Sequence, residues 1–133
     1  MRVLVVESQG ARAAHMRRVL LEVGFEVDVA ASGAKALAAA RDRSRPLHVV
    51  VVSRDLPDMS GDEVVLELGS IRRETAVIIA SPNGEVELPH CDARISNPAV
   101  TRDLVQAATV AVAARAVQRL HGARRTAVCG RSH

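Results

Sequence analysis

Short apolar stretches recur along the chain, separated by segments with a helical pattern. The strongest covers residues 47–53, where four consecutive valines follow Leu47 and His48 and precede Ser53. A run of this length is too short to cross a membrane and is typical of a strand buried on both faces of a parallel sheet. Similar patterns predict four further strands, at residues 2–7, 25–30, 75–81 and, more weakly, 92–96.

Apolar residues between these strands recur at steps of three and four residues, the spacing of a helix with one buried face. This spacing predicts helices at residues 11–23, 33–43, 60–71 and 99–121. Ser32 is a suitable N-cap for the second helix, and Gly122 should stop the last one. Because strands and helices alternate, the chain should form a parallel sheet covered by helices on both faces.

The alternation breaks at residues 82–98. Pro82, Gly84 and Pro89 oppose a regular helix in this segment. About ten residues separate the fourth predicted strand from the fifth, and two connecting loops would use most of them. We therefore expect a loop with at most one helical turn, where a full helix would continue the pattern.

Charge is unevenly distributed along the 133 residues. The net charge is +3, yet residues 115–133 carry five arginines and no acid, so the first 114 residues sum to −2. We expect residues 122–133 to be a disordered basic tail that could contact nucleic acid only non-specifically. Phe25 is the only aromatic residue, which argues against modules that stack on nucleic-acid bases.

Localisation signals are not evident in the sequence. The first residues lack the layout of a signal peptide, and no apolar run approaches the ~20 residues that a membrane-spanning helix needs. Cys91 and Cys129 lie far apart and belong to no Cys-x-x-Cys pair, so we expect reduced thiols. These features predict a cytoplasmic protein without membrane contact, whose single domain covers residues 1–121.

Five short motifs together resemble the receiver domain of bacterial two-component response regulators. They lie at residues 2–6, 23–27, 31–37, 56–61 and 97–98, and the LPDMSG turn at residues 56–61 is the most specific of them. The resemblance covers residues 1 to about 114. It implies a doubly wound, flavodoxin-like α/β fold with a five-stranded parallel sheet in the order 2-1-3-4-5. The helix between the fourth and fifth strands should be shortened or missing.

Receivers accept a phosphoryl group on an aspartate four residues before the proline of this turn. The equivalent position here is Ser53, four residues before Pro57. The two acidic residues that follow the first strand in the family fall on Glu7 and Ser8. Of the family's three carboxylates, the sequence therefore keeps one, that of Glu7.

Three further positions of the family site fall near the end of the domain. The hydroxyl residue after the fourth strand is retained as Ser81, whereas the family's lysine is Asn97 and its aromatic switch residue is Arg94. Phosphoryl transfer needs a nucleophile, a bridging Mg²⁺ ion and a cation that neutralises the phosphoryl charge. Because these charged groups are lost, the resemblance predicts no catalytic residue, no cofactor and no aspartyl phosphorylation.

Asp55 leaves one alternative open. It lies two residues after Ser53 and could join Glu7 as a weak metal ligand or be modified itself. The simpler interpretation is a solvated turn residue that stabilises the bend.

The function implied is that of a non-enzymatic pseudo-receiver, which acts by contact with a protein partner such as a histidine kinase, a regulator or an output protein. The long last helix suggests a homodimer as well, and its predicted interaction surface comprises Leu104, Val112, Ala116 and Leu120. An alternative is a receiver-derived transcription regulator that associates with DNA through its arginine-rich tail.

Overall fold

Nine elements make up the described parts of the chain. The computed structural model describes residues 1–80, 93–95 and 101–121, with side chains for 1–80, 104–114, 116 and 117. The elements are β1 Arg2–Val6, α1 Gly10–Glu22, β2 Glu26–Ala30, α2 Gly33–Arg41, β3 Val49–Ser53, α3 Gly61–Ile71, β4 Ala76–Ala80, β5 Ala93–Ile95 and α4 Thr101–His121. The predicted order of strands and helices is confirmed. The predicted loop at residues 82–91 and the tail at 122–133 lie outside the described residues.

The five strands form one parallel sheet in the order β2-β1-β3-β4-β5, as the resemblance implied. β3 lies at its centre, where Val50 is in register with Leu4 of β1 and with Val77 of β4. All five residues of β3 are buried. Burial on both faces explains why this strand has no alternation of apolar and polar residues.

Successive valines of β3 supply two separate cores. Val50 and Val52 belong to the core under α2 and α3, together with Leu37 and Leu68. Val49 and Val51 belong to the opposite core, whose further members include Met16, Val19, Leu20, Leu104 and Ala108. Helices α1 and α4 therefore cover one face of the sheet and helices α2 and α3 the other.

Within the described residues, no helix combines the length and the apolar character that crossing a membrane requires.

The position of α4 corrects part of the predicted interaction surface. Leu104 has no exposed surface and lies in the core between α4 and the sheet, so it is not available to a partner. Val112 is half-buried and packs against the same core, and Ala116 is also half-buried. The side chain of Leu120 lies outside the described residues. The first turns of α4 thus stabilise the domain, because they cover the sheet.

A buried arginine closes the amino edge of the sheet, the edge at which the strands begin. Arg72 follows α3 and is 3% exposed. Its Nε donates a hydrogen bond to the carbonyl of Ala40 at 2.7 Å, and its Nη2 donates to the carbonyl of Asp42 at 2.6 Å. The same Nη2 lies 3.2 Å from the carbonyl of Arg45. One guanidinium therefore satisfies carbonyls that the end of α2 leaves without a helical partner.

A second arginine makes the reverse connection. Arg43, which follows α2, donates from Nη1 to the carbonyl of Ile71 at the end of α3, at 2.9 Å. Its Nη2 lies 3.3 Å from Oε2 of Glu74. Each of the two helices is thus capped by an arginine that follows the other one. This exchange ties the two loops of the amino edge together.

We predict that Arg72→Met lowers the free energy of unfolding by about 2–4 kcal/mol, because one buried and two partly buried carbonyls lose a charged donor at once. Arg41→Met is the matched control. Arg41 is exposed and pairs with Glu67 at 3.7 Å, so its loss should cost about 0–1 kcal/mol. Urea denaturation of both variants measures the difference, and equal losses would contradict a special role for Arg72.

Candidate functional site

Polar residues of two neighbouring strands meet at the carboxyl edge of the sheet. Glu7 directly follows β1, and Ser53 is the last residue of β3. Because β1 and β3 pair in parallel, with Val6 in register with Val52, these two residues end up side by side in the sheet. We call Glu7, Ser8, Arg12, Ser53 and Asp55 the carboxyl-edge site. Carboxyl ends of parallel strands are where open α/β sheets place their ligands.

Glu7 is a buried carboxylate whose two oxygens are both engaged within the protein. Its side chain is 1% exposed. Its Oε2 accepts a hydrogen bond from the backbone N–H of Gln9 at 3.1 Å, and its Oε1 lies 3.5 Å from Nη1 of Arg12. Gln9 is the N-cap of α1, but its own side chain makes no capping hydrogen bond. Glu7 therefore compensates both the start of α1 and the charge of Arg12.

Ser53 is held by tight backbone packing. It is 5% exposed, and the next backbone N–H, that of Arg54, donates to the carbonyl of Ala80 at 3.1 Å. Gly61 packs against this turn, and its N–H donates to the carbonyl of Arg54 at 2.8 Å. A Cβ at Gly61 would contact the carbonyl oxygen of Ser53 and lie 2.7 Å from Cα of Arg54. Only glycine fits here without moving the end of β3.

The remaining predicted residues near Ser53 are open to solvent. Ser8 and Asp55 are both exposed. The backbone of Asp55 forms an isolated antiparallel bridge with Ser60, which closes the turn. Ser60 is also the N-cap of α3 and forms a capping box with Glu63. The structure thus brings together a buried pair, Glu7 and Ser53, and leaves Ser8 and Asp55 at the surface.

The side chains of three predicted site residues lie outside the described part of the structure. Arg94 lies in β5, where its backbone is in register with Ile79, but its side chain is outside the described part of the structure. Ser81, directly after β4, and Asn97 lie outside the described residues altogether. Their roles stay predictions.

Asp58 makes a structural contact beside the site that the sequence pattern did not reveal. Its carboxylate accepts hydrogen bonds from the backbone N–H groups of Gly33 and Ala34, each at 2.9 Å, at the start of α2. These bonds, that of Ala34 first and that of Gly33 second, hold the pKa of Asp58 below its usual value. One signal was present in the sequence, because the first turn of α2 has no acid of its own. Nothing in the sequence showed that an acid 24 residues away would fill this role.

The loop of Asp58 also packs closely on α2. A Cβ at Gly33 would contact Met59 and would lie 3.0 Å from Cγ2 of Val64. The turn between β3 and α3 is therefore bound to the start of α2 by packing and by the Asp58 hydrogen bonds. We call this contact the Asp58 latch.

The resemblance raises the question whether these residues fit a divalent cation. Mg²⁺ requires a near-octahedral shell of oxygens and usually keeps several waters beside one or two carboxylates. Here Glu7 already serves a backbone N–H and a guanidinium, Ser53 offers a neutral hydroxyl, and Asp55 is exposed. Among the described residues, no group of three or more histidines, cysteines or acids could hold a metal ion. Both oxygens of Glu7 already have partners, and position 53 offers a cation no charge.

Comparison with known proteins gives a consistent family. Residues 3–91 match the model of the response regulator receiver domain. The two-component response regulator ORR21 from both the indica and the japonica subspecies of Oryza sativa is 28% identical over 88 residues. That match covers 66% of this chain but only 13% of the rice protein.

Solved structures show the same fold at low identity. A CheY-like response regulator receiver domain protein from Methanospirillum hungatei JF-1 superposes with a TM-score of 0.78 at 23% identity, covering 88% of this chain and 97% of that one. A receiver domain protein from Clostridium thermocellum gives a TM-score of 0.79 at 21% identity, covering 87% and 97%. These similarities confirm the flavodoxin-like α/β fold.

We predict that the stabilisation provided by Asp58 depends on pH. Because its pKa is lower in the folded chain than in the unfolded one, the contribution is fully present above the ordinary carboxyl range, about 4. It is lost as the pH falls through the folded pKa. Asp58→Ala should therefore lower the Tm at pH 7, and the difference from the native chain should shrink towards zero in strong acid.

Ser32→Ala provides the matched control for this pH series. The Ser32 hydroxyl accepts a hydrogen bond from the N–H of Lys35 at the same helix end, at 3.2 Å. It carries no charge, so its loss should cost about 1 kcal/mol with little dependence on pH. Thermal denaturation from pH 7 down to strong acid, about pH 1.5, compares the two, and a pH-independent loss for Asp58→Ala would contradict the latch.

Proposed function

This chain belongs to the family of response regulator receiver domains, and we propose that it is a non-enzymatic signalling module that acts through protein contacts without phosphorylation of an aspartate. The partner would be a histidine kinase, a regulator or an output protein. The match spans 13% of the length of the rice relatives.

The observation that carries the proposal is Ser53 at the end of the central strand. The family resemblance places the phosphoacceptor aspartate at this position, and Ser53 is buried at 5% exposure. A serine hydroxyl is a weak nucleophile unless a neighbouring base activates it. Glu7, the remaining acid of the family site, is occupied by the Gln9 N–H and the Arg12 guanidinium. Both observations support the loss of phosphoryl transfer at position 53, because the carboxylate nucleophile is absent there and the oxygens of Glu7 already have partners.

An exposed apolar stripe on α4 supports contact with a second copy. Residues 104–114 contain no charged side chain, although part of this segment faces solvent. Val110 and Val117 are 55% and 51% exposed, and both Ala113 and Ala114 are exposed between them. These spacings of three, four and seven residues place the four side chains on one face of the helix. We call them the α4 stripe.

Formation of a homodimer would remove the apolar side chains of the α4 stripe from water. Two valines separated by small alanines allow a second helix to approach closely, and a two-fold axis would pair the stripe with itself. The stripe replaces the predicted surface of Val112 and Ala116, because both of those residues are half-buried. DNA association through residues 122–133 stays a prediction, since these residues lie outside the described structure.

We predict no phosphorylation of the native chain by a small acyl phosphate in the presence of Mg²⁺. Intact-mass measurement should show no added phosphoryl group, whereas a receiver that keeps its three carboxylates and its lysine gains one under the same conditions. A gain of mass would contradict the proposal. Hydroxylamine would then distinguish the alternatives, because it cleaves an acyl phosphate on Asp55 but not a phosphate ester on Ser53.

We predict that the native chain is a dimer in light scattering and that Val110→Lys and Val117→Lys each raise the dimer dissociation constant by at least ~100-fold. A lysine in the centre of the stripe would bring two charges together across the two-fold axis.

Leu66→Lys is the matched control, since Leu66 is 49% exposed on α3, on the other face of the sheet. The solution mass of the Leu66→Lys variant should remain that of the native dimer. A monomeric native chain, or equal weakening by the α3 variant, would contradict self-association through α4.

A further inference from the structure

We infer that the guanidinium of Arg12 is the resident cation of the carboxyl-edge site and that it keeps divalent cations away from Glu7. This inference deepens the proposed function and rests on it, because it gives the charge arrangement by which the site has become independent of metal. It concerns one contact, between Nη1 of Arg12 and Oε1 of Glu7.

The first step is the burial of Glu7. A carboxylate with 1% of its side chain exposed has lost nearly all its hydration and needs compensating groups inside the protein. The described contacts supply two, the Gln9 N–H at 3.1 Å and the Arg12 guanidinium at 3.5 Å. The first is a dipole and the second a full positive charge. Arg12 is thus the charged partner of Glu7 in the described structure.

The second step is the position of Arg12 along its helix. Arg12 lies in the first turn of α1, which begins at Gly10 and contains no acid in that turn. The start of a helix is its positive end, so a cation there is unfavourable by itself. Glu7, which also accepts the N–H of the N-cap residue, offsets both positive charges. The pair with Glu7 thus offsets the cost of a cation at this helix end.

The third step is what a divalent cation would meet. An ion bound to Glu7 would lie within a few ångströms of the guanidinium, and like charges at such distances repel strongly in a partly buried site. The side chain of Arg12 is 42% exposed and could swing away only by giving up the pair. A carboxylate at position 53 should therefore restore only weak metal binding while Arg12 is present.

The experiment compares Mn²⁺ binding by four forms of the full chain, measured from the free-Mn²⁺ signal in electron paramagnetic resonance. The forms are the native chain, S53D, S53D/R12M and S53D/R17M. Arg17 is the matched control, because it is an exposed arginine on the same helix with no described contact to Glu7. Replacing Arg17 changes the net charge by the same amount as replacing Arg12. Circular dichroism first checks that each form is folded.

The expected result is no binding by the native chain, weak binding by S53D, and binding about tenfold tighter by S53D/R12M than by S53D. S53D/R17M should bind like S53D. An equal gain for both double variants would overturn the inference, since net charge alone would then explain it. Equal affinity of S53D and S53D/R12M, or no binding by either, would also overturn it, because Arg12 would not be what keeps the ion out.

A second comparison covers the case in which S53D/R12M does not fold. R12M with the native Ser53 is then titrated against R17M, and R12M is expected to bind more Mn²⁺ at the same concentration. Equal binding by the two single variants overturns the inference. Failure here is distinguishable from failure of the proposed function, because the phosphorylation measurement uses the native chain and reports on a different step.

Discussion

The burial of strand β3 on both faces is the constraint on which the rest of the structure depends. Its valines point alternately into two cores, so helices must cover both sides of the sheet. Buried polar groups are then confined to the two edges of the sheet, the amino edge where the strands begin and the carboxyl edge where they end. Ser53 marks the carboxyl edge of this strand, and Gly61 packs so closely on it that a side chain there would displace the turn. The position of the candidate site follows from this packing.

The two edges of the sheet meet opposite electrostatic requirements. In a doubly wound fold, helices begin at the carboxyl edge and end at the amino edge, so positive helix ends gather at the first and negative ends at the second. Arginines that donate to helix-end carbonyls close the amino edge, and Arg72 is the most buried of them. Carboxylates that accept from helix-start N–H groups close the other, through Glu7 and Asp58. Side chains of the same chain therefore satisfy the helix ends at both edges.

This internal satisfaction bears directly on function. The helix starts of the carboxyl edge are suited to an anion such as a phosphoryl group. Here the carboxylates of Glu7 and Asp58 already lie beside two of those starts, and Ser53 adds no charge. Under the proposed function, this site takes no part in phosphoryl transfer, and recognition by a partner falls to the outer surface. The exposed residues of α4 between positions 104 and 114 carry no charge, which distinguishes this face from an ordinary solvated helix face.

The sequence by itself determined the order of strands and helices, the parallel sheet and the position of Ser53, because these follow from local periodicity and from a motif of fixed spacing. Only the tertiary structure decided which residues meet. The pairing of Arg12 with Glu7, the Asp58 latch on α2 and the exchange of Arg43 and Arg72 join segments whose contacts no local pattern encodes. Leu104 shows the same limit, since a helical stripe is apolar whether it covers a sheet or a partner. The direction in which α4 packs, set by the whole sheet, made that residue part of the core.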